Sequence, residues 1–283
     1  MKIITKVIEM HSFSKEKKGR GKIVALVPTM GYLHEGHLSL VKIAKVKADI
    51  VVVSIFVNPT QFAPNEDFTK YPRDEQRDVR LLKELKVDAL FIPSVDEIYS
   101  KNFQTFVGVT EITKKYEGEF RPTHFKGVTT IVSILFNCAT PDIAIFGQKD
   151  AQQAAVIKQM VKDLKFNVEI VVAPIIREVD GLAMSSRNVY LSEQERKDAL
   201  VLYRSLINAN KLIEKGERDV KVIIQKMNGI INSVNTSKID YIRIVSSTDF
   251  SEVQSMESGK EYYILIVCRI GETRLIDNLL VKL

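Results

Sequence analysis

The chain has 283 residues, enough for one large domain or for two. Its 45% hydrophobic and 27% charged residues match an ordinary globular protein and exclude a disordered chain. No run of about 18 apolar residues occurs, which argues against a membrane span or a membrane partner. The first residues lack the apolar stretch of a signal peptide, so we expect a cytoplasmic protein. Its two cysteines, Cys138 and Cys268, stand far apart in apolar segments, as expected of buried free thiols.

The net charge of +6 raises the question of a nucleic-acid partner. Lysine and arginine are interspersed with aspartate and glutamate along most of the chain, and the densest basic run, Lys15–Lys22, is short. We predict a solvated loop there and no nucleic-acid partner. A nucleic-acid-binding protein that uses this segment is the alternative from a different functional class, whereas a modest positive charge also suits anionic small-molecule substrates.

In the first part of the chain, predicted strands and helices alternate. Apolar runs predict buried strands, and apolar residues at helical spacing predict helices. The strands are predicted at 23–27, 49–57, 88–92, 142–146 and 168–172, with helices beginning near residue 36 and at 74–86, 129–138 and 151–164. This alternation predicts an α/β domain at 1–178, a Rossmann-like doubly wound parallel sheet. Ligands of such sheets gather beyond the carboxyl ends of the strands.

Residues 179–283 have a different pattern and predict a second, smaller α+β C-terminal domain. Ser192 and Glu195 have capping-box spacing and open a predicted helix of about four to five turns. Another helix is predicted at 220–234, followed by strands at 239–245, 262–268 and 274–276.

The stretch VPTMGYLHEGHLS follows the first strand and nearly matches a P-loop. Gly31 and Gly36 have the P-loop spacing, but His37 and Leu38 replace its Lys and Ser or Thr. His34 and His37 fall in the first turn of a predicted helix, where imidazoles and backbone N–H groups can stabilise phosphate charge. The alternatives are a zinc site, a true P-loop, and two histidines that cap the helix without chemistry. The first lacks a third ligand and the second lacks the lysine.

Two further motifs follow predicted strands. Asn58 and Gln61, in FVNPTQF, offer uncharged amides for a hydroxyl or a carboxylate, or they form a plain turn. In FGQKDAQQ, Gly147 allows close backbone approach and Lys149 supplies a point charge for phosphate. Asp150 either accepts from a ribose hydroxyl or caps the following helix.

The segment MSSRN places two hydroxyls, Ser185 and Ser186, before Arg187. This set can grip a triphosphate, with the arginine binding in a bidentate manner, or it can be a surface turn. Two histidines at a helix start and a downstream Ser/Arg loop resemble the HIGH/KMSKS nucleotidyltransferases, in which the α-phosphate of ATP is attacked and pyrophosphate leaves.

The motifs together resemble one family more closely. PTMGYLHEGH, FVNPTQF, the following Tyr71-Pro72-Arg73, FGQKDAQQ and MSSRN, in this order over residues 28 to 188, are similar to the pantothenate synthetase (pantoate–beta-alanine ligase) family. The resemblance implies condensation of pantoate with beta-alanine, using ATP and Mg²⁺, through a pantoyl adenylate. It also implies a homodimer and closure of the C-terminal domain over the site.

The resemblance implies site residues too. The ATP-binding residues would be Met30, Gly31, Tyr32, Leu33, His34, Glu35, Gly36, His37, Gly147, Gln148, Lys149, Asp150, Ile176, Met184, Ser185, Ser186 and Arg187. Among these, the catalytic residues would be His37, His34, Lys149 and Arg187. Gln61 and Gln153 would bind pantoate, and Gln61 would also lie near beta-alanine. Asp78 is a candidate for the magnesium environment, with an exposed helix carboxylate as the alternative.

An enzyme of the same superfamily is a rival interpretation. A mononucleotide adenylyltransferase would transfer AMP to a phosphate and would gain nothing from the Gln61 and Gln153 pair. The dependence of pyrophosphate release on the acceptor separates the two.

Overall fold

The protein divides into two compact units. The computed structural model describes residues 1–64 and 66–283. The first unit comprises Met1–Gln148 and Gln152–Pro174, and the second comprises Lys149–Ala151 and Ile175–Leu283. The division at Pro174 comes just before the boundary that the sequence predicted between 178 and 179.

The first unit is built on a parallel sheet. Its strands are β1 (Lys2–Ile4), β2 (Val24–Thr29), β3 (Ile50–Ile55), β4 (Ala89–Phe91), β5 (Ile143–Gly147) and β6 (Glu169–Ala173). Among the described residues they form a six-stranded sheet in the order β1-β4-β3-β2-β5-β6, and every pairing is parallel. The predicted doubly wound α/β fold is confirmed.

Helices separate these strands along the chain. They are α1 (Val7–Gly19), α2 (Glu35–Lys47), α3 (Glu75–Glu84), α4 (Val95–Ile98), α5 (Glu117–Phe120), α6 (His124–Ala139) and α7 (Ala151–Leu164). Within the part of the chain that the structure describes, no helix is both long and apolar enough to cross a membrane.

Strand β2 lies between two apolar layers because successive side chains of a strand point to opposite faces. Val24 and Leu26 belong to a core that includes buried residues of α1 and α6. Ala25 and Val27 belong to a core that includes buried residues of α2 and α3. Continuous apolar runs of this kind allowed the strands to be predicted from sequence.

The strand order reverses beside β2. The chain proceeds from β2 through β3 to β4 on one side and later returns to place β5 on the other side of β2. The carboxyl ends of β2 and β5 therefore flank a topological switch point, where doubly wound sheets bind their ligands.

The second unit is α+β, as predicted. Its helices are α8 (Glu193–Asp198), α9 (Leu200–Glu214) and α10 (Val220–Ile231), and its strands are β7 (Ser237–Ser246), β8 (Glu261–Ile270) and β9 (Thr273–Lys282). The strands form an antiparallel sheet in chain order. The capping box of Ser192 and Glu195 is present. The single helix predicted from it is interrupted at Ala199, whose backbone stays right-handed, with φ −58° and ψ −21°.

The loop predicted at Lys15–Lys22 was wrong for Lys15–Gly19, because α1 continues to Gly19. Met10 and Phe13 are buried in the core and anchor this helix. Lys18 also forms an ion pair with Asp142, with 2.8 Å between Nζ and Oδ1. Basic residues in the last turn of a helix are favourable for the helix dipole, and in a sequence they are easily taken for a solvated loop.

Both cysteines are buried free thiols, as predicted. Cys138 is in α6 and Cys268 is in β8. Burial raises the pKa of each thiol to about 11, so both stay protonated at neutral pH.

Candidate functional site

His34 and His37 come together where β2 ends and α2 begins. His34 is the N-cap of α2, and its Nδ1 accepts from the Gly36 N–H at 3.1 Å. The His34 N–H in turn donates to Nδ1 of His37 at 3.4 Å, which completes a reciprocal cap. The ring centroids lie 4.1 Å apart.

The cap also determines which nitrogen of each imidazole ring carries the proton. A nitrogen that accepts a hydrogen bond carries no proton, so in each neutral ring the proton is on Nε2. An Nε2–H is a donor that can serve a phosphate oxygen. The capping role and a chemical role are therefore compatible in the same two side chains.

Asp78 is not an exposed helix carboxylate, so that alternative was wrong. The residue lies in the first turn of α3 and is 1% exposed. Its Oδ2 accepts from the Tyr32 N–H and its Oδ1 from the Leu33 N–H, both at 2.7 Å. Burial raises the pKa of Asp78, and these two hydrogen bonds oppose that rise. Among the described residues there is no group of three or more His, Cys, Asp or Glu that could hold a metal ion.

Gln61 lies beside the turn that follows β2. It ends a short 3-10 helix, Pro59–Gln61, that follows β3, and the residue is 8% exposed. Its Nε2 donates to the sulfur of Met30 at 2.9 Å. The structure thus brings together two predicted site residues that are far apart in the sequence.

The neighbouring Asn58 holds the 3-10 turn in place. It caps the 3-10 helix, and its Nδ2 donates to Gln61 Oε1 at 3.3 Å and to the Gly127 carbonyl at 3.1 Å. Its Oδ1 accepts from the Tyr99 hydroxyl at 2.7 Å. The buried amide thus holds Gln61 against α6.

The Gln61 backbone has two polar neighbours that sequence reasoning missed. The Nδ1 of His124 lies 3.1 Å from the Gln61 carbonyl, and Arg121 Nη2 lies 3.4 Å from it. Burial, followed by the charge of Arg121, lowers the pKa of His124 to about 4, so the ring is neutral and donates to this carbonyl. Arg121 also binds both oxygens of Glu66, at 2.7 and 2.8 Å.

A signal for these residues was present in the sequence. The segment GEFRPTHFKG places an arginine and a histidine among glycine and proline directly before an apolar helix. Gly127 of the same helix meets the 3-10 turn closely. A Cβ at this position would lie 2.5 Å from the Thr60 carbonyl oxygen and 2.7 Å from Gln61 Cα.

The two glutamines at the start of α7 differ. Gln152 is buried and its amide is taken up by backbone groups: Nε2 donates to the carbonyls of Ile112 and Lys115, and Oε1 accepts from the Glu117 N–H. The predicted site residue Gln153 is half-buried. Gln152 therefore secures the segment before α6 and leaves Gln153 as the candidate for substrate binding.

The predicted phosphate loop after β5 forms a 3-10 helix, Gln148–Asp150, that leads directly into α7. Gly147 ends β5, and Lys149 and Gln148 are half-buried, whereas Asp150 is exposed. Within the second unit, the Lys149 carbonyl accepts from Asn278 Nδ2 at 3.0 Å. The backbone of Lys149 is thus fixed by β9.

Ile176 and Met184 face each other in a hairpin-like loop of the second unit. The Met184 N–H donates to the Ile176 carbonyl at 3.0 Å, and Arg177 and Ala183 form an isolated bridge. Gly181 at the tip has φ +102°, and a Cβ there would meet the Tyr203 ring at 2.1 Å. Only glycine fits this position.

Buried charges secure the base of that loop. Arg177 makes a bidentate pair with Asp277, at 2.6 and 2.9 Å, and stacks on the Tyr203 ring at 4.4 Å. Burial raises the pKa of Asp277, and the bonds and charge of Arg177 oppose this rise.

The predicted triphosphate segment follows the same loop. Ser185 caps the 3-10 helix Ser186–Tyr190, and its Oγ accepts from the Arg187 N–H at 3.3 Å. The Asn188 amide donates to Glu178 Oε1 and to the Ala183 carbonyl. Ser185, Ser186 and Arg187 are therefore held by an ordered turn.

Comparison with known proteins identifies a family that matches nearly the whole chain. Residues 2–280 match the family model described as Pantoate-beta-alanine ligase. A pantothenate synthetase from Thermoanaerobacter sp. (strain X514) is 56% identical over 280 residues, covering 99% of this chain and 98% of that protein.

Two solved structures are similar along nearly the whole length. Pantothenate synthetase from Thermus thermophilus has a TM-score of 0.93 and 43% identity, with 99% of each chain covered. Pantoate-beta-alanine ligase from Francisella tularensis, complexed with beta-gamma ATP and beta-alanine, has a TM-score of 0.79 and 35% identity, with 99% of this chain and 97% of that chain covered.

Proposed function

We propose the reaction of this chain from one premise: the chain belongs to the pantoate–beta-alanine ligase family. It condenses (R)-pantoate with beta-alanine, using ATP, to give pantothenate, AMP and pyrophosphate. The pantoate carboxylate attacks the α-phosphorus of ATP, which forms pantoyl adenylate and releases pyrophosphate. The amine of beta-alanine then attacks the acyl carbonyl, and AMP leaves. The observation that carries this proposal is the family match over residues 2–280.

The turn and helix start at Met30–His37 are proposed to bind ATP. The backbone N–H groups and the helix dipole at the start of α2 favour phosphate there. The Nε2–H groups of His34 and His37, whose rings lie 4.1 Å apart, would donate to phosphate oxygens. His37 is proposed to take the acid role by donating a hydrogen bond from its Nε2–H to the pyrophosphate, which gains charge as it leaves.

The nucleophile needs no base. A carboxylate such as that of pantoate is already ionised at neutral pH, so the site must shield two anions from each other. Lys149 and Arg187 are proposed to do this as positive charges at the phosphates. Gly147–Asp150 and Met184–Arg187 would bind the ribose and triphosphate, and the backbone of Ile176 would bind the adenine.

Gln61 and Gln153 are proposed to bind pantoate through its hydroxyls and carboxylate, and Gln61 also to bind beta-alanine. The position of Gln61 supports this role, because its amide is nearly buried and lies against Met30 of the ATP turn. An uncharged amide can orient a carboxylate without neutralising its nucleophilicity.

The residues present fit a resident Mg²⁺ poorly. Each oxygen of Asp78 already accepts a backbone N–H, and the described residues provide no cluster of three or more metal-binding side chains. We propose that Mg²⁺ arrives as MgATP, because this ion is commonly held by substrate phosphates and water.

The reaction is tested by pyrophosphate release from MgATP and pantoate, with and without beta-alanine. A single-turnover burst with pantoate alone, followed by steady turnover once beta-alanine is added, is the expected result. No pantoate-dependent release would overturn the reaction. Release that depends on a phosphate-bearing acceptor would instead identify a mononucleotide adenylyltransferase.

A homodimer and a cytoplasmic location are part of the same proposal. Symmetric dimers are the commonest oligomers of globular proteins. Sedimentation of a species with twice the chain mass of 32.1 kDa is expected, and a monomer at micromolar concentration would contradict the dimer. Recovery of the protein in the membrane or secreted fraction of cells would contradict the location.

A further inference from the structure

The turn between β2 and α2 has an unusual backbone. Gly31 has φ +82° and Tyr32 has φ +50°, so two successive residues are left-handed. Glycine adopts this conformation readily, but a tyrosine does so only when surrounding contacts hold it. Something outside the turn must therefore stabilise it.

Asp78 supplies one contact. Its two oxygens accept from the successive N–H groups of Tyr32 and Leu33, both at 2.7 Å. The carboxylate also lies directly under Gly31, where an added Cβ would be 3.1 Å from Oδ2. The turn and the carboxylate therefore fit each other at three consecutive residues.

Arg77 supplies the second contact. Its Nη1 donates to the Leu33 carbonyl at 2.8 Å, and its guanidinium lies 5.5 Å from the centre of the Tyr32 ring. Arg77 and Asp78 are consecutive residues of α3, so one rigid helix binds both the N–H groups and a carbonyl of the turn.

We propose that Asp78, with Arg77, is a positioning residue for adenylate formation. It sets the backbone that ends at His34 and thereby places His34, His37 and the N-terminus of α2 against the phosphates of ATP. This inference rests on the proposed function. It assigns Asp78 to the protein backbone and not to the metal.

The chemistry of the carboxylate makes the inference testable by an isosteric change. In Asp78→Asn one oxygen becomes an NH₂ group, which cannot accept, so one backbone N–H faces another donor. Asp74→Asn is the matched control: the same change on the same helix, at an exposed N-cap where asparagine also functions.

The experiment measures kcat and KM for ATP, KM for beta-alanine and the Mg²⁺ dependence of both variants. Displacement of a reacting group by about 1 Å can cost about 10²-fold, so we expect a loss of that order in kcat/KM for ATP in Asp78→Asn. KM for beta-alanine should stay unchanged, and extra Mg²⁺ should not restore activity. Recovery at high Mg²⁺ would overturn the inference in favour of a metal ligand, and wild-type kinetics would overturn it outright.

Further variants test the same role, including the case in which Asp78→Asn does not fold. Tyr32→Gly removes the cost of the left-handed residue, so Asp78→Asn should lose less activity in that background; an equal or larger loss would contradict the positioning role. If Asp78→Asn fails to fold, Arg77→Met becomes the test, and an unchanged KM for ATP overturns the inference.

The proposed function is tested separately, by pyrophosphate release with pantoate in the wild type and in Asp74→Asn. The proposed function fails if neither protein releases pyrophosphate.

Discussion

Two turns leave adjacent strands of the same sheet and are held by opposite kinds of side chain. The turn after β2 is held by a buried carboxylate and a guanidinium, Asp78 and Arg77. The 3-10 turn after β3, Pro59–Gln61, is held chiefly by uncharged groups, including the amide of Asn58 and the neutral ring of His124.

The difference follows from which backbone groups each turn directs at its neighbours. The turn after β2 points successive N–H groups inward, and an anion is the group that can accept two of them at once. The turn after β3 presents a carbonyl and a close backbone contact with α6, for which a neutral donor and a glycine suffice. Charge thus sets one turn, and packing sets the other.

The largest effect is expected for His37→Ala, which tests whether the turn after β2 carries the chemistry. Loss of a general acid lowers rates by about 10²–10⁴-fold, so adenylate formation in single turnovers should fall far more than ATP affinity. His11→Ala, an exposed histidine of α1, is the control. Equal losses in rate and in ATP affinity would remove His37 from the acid role.

The next largest effect is expected for His124, whose neutral ring contacts the Gln61 carbonyl. The pKa of His124 falls from 6.5 to about 4 on folding, a shift worth about 3 kcal/mol. Because the unfolded chain takes up the proton first, stability is full above pH 6.5 and is lost as the pH falls from 6.5 towards 4. We expect His124→Gln to remove this part of the pH dependence in urea unfolding.

A second titratable group, Glu66, acts at lower pH, and its contribution can be separated from that of His124. Burial would raise the pKa of Glu66, but the hydrogen bond and charge of Arg121 dominate and lower it below 4.5. Its contribution is therefore present above pH 4.5 and is lost as the pH falls through the lowered value. A slope between pH 6.5 and 4.5 that persists in His124→Gln, as it should in the His11→Gln control, would contradict the assignment.

Packing of the turn after β3 is tested by Gly127→Ala. The added Cβ would lie 2.5 Å from the Thr60 carbonyl oxygen, so the backbone must move, and such overpacking costs about 1–3 kcal/mol. KM for pantoate should rise as Gln61 shifts. Gly229→Ala is the matched control in α10: its Cβ meets no described atom within 4 Å, and it should gain about 0.5–1 kcal/mol. Equal melting temperatures would contradict the close contact.

The smallest effect is expected for Tyr99→Phe. The hydroxyl donates to Asn58 Oδ1 at 2.7 Å, and its removal should cost about 1 kcal/mol. Burial raises the pKa of Tyr99, so the group stays protonated and the cost should be the same at acid and neutral pH. A cost that varies with pH in this range would contradict the assignment of the Tyr99–Asn58 contact to uncharged groups.

Much of the fold could be predicted from local pattern. The strands β2, β3 and β5 are continuous apolar runs, and α7 was predicted with its observed bounds. The N-terminal strand β1 and helix α1 were missed, because only a few residues of α1, such as Met10 and Phe13, are buried and its end is basic.

The site was predictable to a similar extent. Glycines and histidines at Gly31–His37 mark a ligand turn by residue type and spacing alone. His124 and Asp78 carry no such local mark, because each acts on a segment distant in the sequence, at Gln61 and at Tyr32 and Leu33 respectively. Their roles depend on the packing of α6 and α3 against the sheet.

The sequence by itself determined the alternation of strands and helices, the switch-point position of the histidine turn and the motifs that mark the family. These depend on periodicity and residue type, which are local properties of the chain. Only the tertiary structure decided that Asp78 binds backbone, that Asn58 and His124 support Gln61, and that His34 and His37 cap the helix through Nδ1. The physical reason is that a buried polar group must find a partner, and which partner it finds is set by folding.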